Sequence, residues 1–121
     1  MATVAAVLAA PATAGAKILV ETYNEGLQPS VNLEGPSAAV TNPKQITVRF
    51  TANHAAELVG SFTIKCAGRR AKSYSDSGVS PAVRTVRISG KPGKCRVTRA
   101  SASFADQFDE GWIQLLASAN G

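Results

Sequence analysis

The sequence predicts an all-β fold, one antiparallel β-sandwich of about seven strands. Two segments alternate apolar and polar residues cleanly, as half-buried strands do. In residues 45–52, QITVRFTA, Ile46, Val48, Phe50 and Ala52 share one face, with Thr47, Arg49 and Thr51 on the other. Residues 60–68, GSFTIKCAG, repeat the pattern, opposing Phe62, Ile64 and Cys66 to Ser61, Thr63 and Lys65. The segments between such runs are rich in Gly, Pro, Asn and Asp, residues that turn a chain sharply.

Taken in order, the chain opens with MATVAAVLAAPATAGA, sixteen residues with eight alanines and no charge. A secretory signal combines a basic start, an apolar stretch and a small-residue cleavage site. TVAAVLAA supplies the stretch, Pro11 a breaker, and both ATA (12–14) and AGA (14–16) the cleavage pattern, while the basic start is missing. Residues 1–16 therefore read as a signal-peptide remnant. The alternative is an apolar N-terminal arm that packs on a neighbouring subunit. Residues 17–121 form the sandwich domain.

KILVETY (17–23) is the first strand, broken by GLQPS, and SVNLEG (30–35) alternates briefly before the loop GPSAAVTNP. After the strand at 45–52, NHAAEL (53–58) offers one helical turn at most. RRAKSYSDSGVSP (69–81) reads as a long polar loop. AVRTVRISG (82–90) and KCRVTRASASF (94–104) flank KPGK, and Pro92-Gly93 suits the centre of a type II turn. These two segments are expected to pair as a β-hairpin. ADQFDEG is an acidic turn, and WIQLLAS (112–118) is the last strand.

Over residues 17–121 this pattern resembles an immunoglobulin-like or fibronectin-like architecture. The resemblance stops at architecture, because an immunoglobulin domain places a tryptophan between two more widely spaced cysteines. Here Trp112 follows both cysteines.

Length and composition agree with one domain. A chain of 121 residues with 45% hydrophobic content buries roughly 60–70% of its unfolded surface, enough for one modest core. No apolar run reaches the roughly 20 residues a membrane-spanning helix needs. The net charge of +5 is unevenly placed. Between Lys65 and Arg99 stand ten basic residues and one acid, Asp76, whereas beyond Ala100 there are three acids and no base.

Cys66 is in phase with Phe62 and Ile64, and the hairpin register puts Cys95 on the face of Ile88 and Val97. Both sulfurs then point into one core, which predicts a Cys66–Cys95 disulfide and an oxidising compartment. Two buried thiols in a reducing compartment are the alternative. The same register turns Arg87, Lys91, Lys94 and Arg96 outward, with Arg69, Arg70 and Lys72 extending the patch from the preceding loop. Like charges facing each other across strands are mildly unfavourable. They serve either to protect a sheet edge or to hold phosphate, carboxylate or sulfate groups. Few aromatics interleave with this charge, so recognition would be electrostatic, with no sequence-specific reading of nucleic acid. Arg84 and Arg99 fall on the inward parity and therefore belong at a sheet end or after a bulge.

No catalytic constellation is visible. His54 and Glu57 could meet on a helical turn, but a lone His–Glu pair in a loop usually forms a surface contact. No Ser–His–Asp or Cys–His spacing is forced, and no Gly-rich phosphate loop is present. Asp106, Asp109 and Glu110 could hold Ca²⁺, yet they match no EF-hand. The sequence thus predicts a non-enzymatic protein with no cofactor and no metal. It would be a secreted or cell-envelope binding or structural module with a protein or anionic polymer as partner. The alternative is a structural subunit of a larger assembly, such as a virion decoration or filament protein, with residues 1–16 as its interaction arm.

Overall fold

The computed structural model describes residues 16–106 and 110–120. The signal-remnant and arm readings of the opening fall almost wholly outside them. The described chain forms nine strands: β1 (Lys17–Leu27), β2 (Ser30–Asn32), β3 (Val40–Thr41), β4 (Gln45–Ala52), β5 (Glu57–Cys66), β6 (Lys72–Val79), β7 (Ala82–Arg87), β8 (Lys94–Phe104) and β9 (Glu110–Asn120). They build two antiparallel sheets, in the orders β1-β9-β4-β7 and β2-β8-β5-β6, with β3 added beside the start of β8.

The all-β sandwich expected from the alternating pattern is therefore the architecture, with nine strands instead of seven. Its wiring follows one rule. β1 and β2, β9 and β8, β4 and β5, and β7 and β6 hold matching places in the two sheets. Each of these pairs joins strands adjacent in sequence across the core. This is the strand order of a jelly roll, a double-sheet arrangement that leaves few open edges.

The core lies where the inward residues of the two sheets meet. β4 contributes Ile46, Val48 and Phe50, and β9 Ile113, Leu115, Ala117 and Ala119. From the other sheet come Leu58, Phe62 and Ile64 of β5, with Val97, Ala100 and Phe104 of β8. In β8 the two-residue alternation slips once. Ile64 pairs with Val97 but Thr63 pairs with Arg99, so Thr98 is an extra residue in a bulge. Before it, Cys95 and Val97 face inward; after it, Ala100, Ala102 and Phe104 do.

Three expectations are corrected. The polar loop at 69–81 contains β6, an edge strand that pairs with β5 from Glu57–Val79 to Ile64–Lys72. Residues 53–58 form no helical turn: 53–55 bend, and β5 begins at Glu57. The segments at 82–90 and 94–104 are no hairpin. β7 pairs with β4, and β8 pairs with β2, β3 and β5 in the other sheet. Gly93 has the positive φ (79°) that the turn reading requires. Residues 91–93 nevertheless form no turn, the one bend between β7 and β8 being at Gly90, and the two flanks separate into different layers.

Cys66 and Cys95 are directly paired residues of β5 and β8, 4.0 Å apart at Cα, and they form the disulfide. The bond joins neighbouring strands of one sheet and closes 29 residues of chain.

Candidate functional site: a cationic end

The disulfide marks one end of the sandwich, where β5, β7 and β9 finish and β1, β4, β6 and β8 begin. The connections there are interlocked by backbone hydrogen bonds. In the β5–β6 turn, the Ala67 N–H donates to the Lys94 carbonyl (3.0 Å) and the Arg69 N–H to the Cys66 carbonyl (3.1 Å). The Lys65 ammonium donates to the carbonyls of Cys66 and Arg69, holding the turn from its outer side. Asn42 and Gly93 bond reciprocally: the Asn42 N–H donates to the Gly93 carbonyl and the Gly93 N–H to Asn42 Oδ1, each at 2.8 Å. The β7–β8 connection is tied back again where the Ile88 N–H donates to the Lys44 carbonyl (2.9 Å). Arg69 lies over this connection, with Nη2 only 3.3 Å from where a Cβ on Gly90 would stand.

On this frame sit all seven cations singled out from the sequence. Arg69 and Arg70 lie in the β5–β6 turn, Lys72 opens β6, and Lys91 lies in the β7–β8 connection. Lys94 and Arg96 are on the outer face of β8, while Arg87 closes β7 in the opposite sheet. The outward hairpin face expected for Arg87, Lys91, Lys94 and Arg96 does not exist, because its two strands belong to different sheets. The end of the sandwich brings them together instead. It adds three cations that sequence reasoning left out: Lys17 at the start of β1, Lys44 before β4, and Lys65 opposite Arg96. Parity along the strand pointed Lys65 outward, but nothing in the sequence placed Lys17 or Lys44 beside it. Ten of the chain's 13 lysines and arginines are thus at this end. The β2–β3 connection carries Glu34 and the other connections of this end carry no acid, and among the described residues none of these cations pairs with a carboxylate.

The opposite end has the opposite sign. Its connections, β1–β2, β4–β5, β6–β7 and β8–β9, contain no lysine or arginine. Glu25, Glu57, Asp106 and Glu110 are the acids described there. His54 belongs to this end too, stacked on Phe104 (5.3 Å between ring centroids), with Nε2 3.2 Å from the Glu110 carbonyl oxygen. Its neighbours are thus Phe104 and Glu110, not the Glu57 side chain. Of the residues weighed for Ca²⁺, Asp109 lies outside the described residues.

Arg84 and Arg99 occupy the middle. Arg84 is at the sheet edge, 3.8 Å from Asp76 and with its guanidinium 5.4 Å from the Tyr74 ring centroid. The Thr98 bulge returns Arg99 to the outer face. There it meets a shallow trough of about 460 Å³ that Ser61, Thr63, Ser73, Ser75 and Ser101 help to line.

No protein-family model matches the chain, nor does any curated protein. Among solved structures, the C-terminal domain of a structural protein from sulfolobus turreted icosahedral virus is similar in fold. The TM-score is 0.50 at 9% identity, over 88% of this chain and 99% of that one. At that identity the likeness concerns the fold alone.

Proposed function

We propose that this protein is a non-enzymatic structural subunit of an extracellular or viral assembly, whose cationic end faces an anionic partner. The observation that carries the reading is the separation of charge between the two ends of the sandwich. Such separation gives a rigid body two chemically distinct docking ends, and electrostatic complementarity selects and orients partners. The jelly-roll wiring adds support by analogy, since capsid domains are among those built this way. The similarity to a domain of a viral structural protein points in the same direction. The disulfide suits an extracellular location.

The test is fractionation of native material on a density gradient, followed by quantitative mass spectrometry. The chain is expected to sediment with large particles in fixed proportion to their other components. If all of it sediments as free 12.5 kDa protein, the subunit reading fails.

A further inference from the structure

An object with two ends of opposite sign restricts how copies of itself can meet. A two-fold contact through either end sets like charges against each other, which costs energy at every facing pair. A head-to-tail contact sets cations against acids. We propose that the anionic partner of the cationic end is the acidic end of a second copy of this chain. The proposal rests on the subunit reading and names the partner that reading leaves open.

The acidic end offers more than carboxylates. Leu27, paired with Glu110, is 69% exposed, and Val79, paired with Glu57, is 60% exposed. Apolar side chains set among charged ones match the anatomy of a protein interface. Facing them, the aliphatic stems of arginine and lysine can cover apolar surface while their heads reach carboxylates.

Such a contact is heterologous, so it repeats: each joined copy still presents one end of each sign, giving rings or filaments. The attraction acts between solvent-facing charges, which salt screens. Association should therefore weaken steeply with ionic strength.

The experiment is sedimentation velocity of the full chain at ionic strengths of about 0.01 M and about 1 M, where charges reach roughly 30 Å and 3 Å. Two blunted variants accompany it: Arg69→Gln with Arg70→Gln, and Glu57→Gln with Glu110→Gln. The expected result is a concentration-dependent ladder of species for the unaltered chain at low salt, lost at high salt. Each blunted variant alone should associate about tenfold more weakly. Mixed in equal amounts they should form one heterodimer and stop, because each supplies a single working end.

A chain that stays monomeric at low salt overturns the proposal, as do blunted variants that assemble like the parent. Should the parent stay monomeric yet bind heparin, and bind it less after Arg69→Gln with Arg70→Gln, the cationic end serves a polyanion and self-docking is overturned. If either variant fails to fold by circular dichroism, Lys91→Gln with Lys94→Gln, or Glu25→Gln with Glu110→Gln, takes its place. Failure here leaves the subunit reading intact, since co-sedimentation of native material tests that separately.

Discussion

Phe50 of β4 packs directly onto Gly60 of β5 across the core: a Cβ on Gly60 would stand 2.7 Å from Phe50 Cε2. The ring fills the space a side chain would take in the opposite sheet, and Phe50 is itself only 3% exposed. Gly60→Ala must therefore push the ring or the sheet, at a cost of about 1–3 kcal/mol. Combining it with Phe50→Leu should cost less than the sum of the two single changes, because the contact is shared. Equilibrium urea unfolding measures both effects, and an unchanged Gly60→Ala midpoint would sink the idea.

Ser37 is a buried hydroxyl that completes the edge of β8. β2 stops pairing at Ser101 and β3 resumes at Cys95, leaving the stretch around Val97 without a neighbouring strand on that side. The Val97 N–H donates to Ser37 Oγ (3.0 Å) and the Ser37 N–H donates to the Val97 carbonyl (2.8 Å). Ser37→Ala leaves the Val97 N–H buried without its partner and should destabilise by about 1–3 kcal/mol. Ser37→Thr should retain most of the stability if the hydroxyl is what matters. Equal losses in both variants would point to packing instead.

Removing the disulfide by Cys66→Ala with Cys95→Ala should lower stability by roughly 2–4 kcal/mol, from the loop it closes in the unfolded chain. The Ala67 bond to Lys94 and the Asn42–Gly93 pair remain, so the cationic end should keep its form. Thermal unfolding with and without reductant provides the check. A parent protein indifferent to reductant would contradict the prediction.

Arg84 should matter little to stability. Its ion pair with Asp76 is long and exposed, which is worth about 0–1 kcal/mol. Its place over Tyr74 adds about 0.5–1 kcal/mol. Arg84→Ala is expected to cost about 1 kcal/mol, with Arg84→Lys recovering part of it. A loss several times larger would mean that Arg84 bridges the two sheet edges in a way the Asp76 and Tyr74 contacts do not explain.

How much of this could be read from residues alone depended on range. β4 and β5 were legible because each buries one face and wets the other, so their period is written in the residues themselves. Cys66 and Cys95 were legible as a pair, although the hairpin that brought them together was wrong. β6 was missed because its solvent face is Ser73, Ser75 and Ser77, and hydroxyls in a strand look like hydroxyls in a loop. The positive φ at Gly93 is local and was legible, but residues 91–93 form no turn, and which strands flank them is decided by distant partners, Val86 against Ile46 and Val97 against Ile64. The cationic end was half visible as a dense basic block. The inclusion of Lys17 and Lys44 is a matter of topology, which composition does not carry.

Thr98 keeps β8 in phase with the core. The bulge there works as a phase shifter: with it, one continuous strand presents Cys95 and Val97, then Ala100, Ala102 and Phe104, to the same side. Straightening the bulge while keeping its residue, so that Thr98 paired like its neighbours, would act like a frameshift in three dimensions. Arg99, Ser101 and Ser103 would swing toward the interior and the alanines and phenylalanine toward water. A half-buried threonine with no partner in β5 thus decides which side of the second half of β8 faces the core.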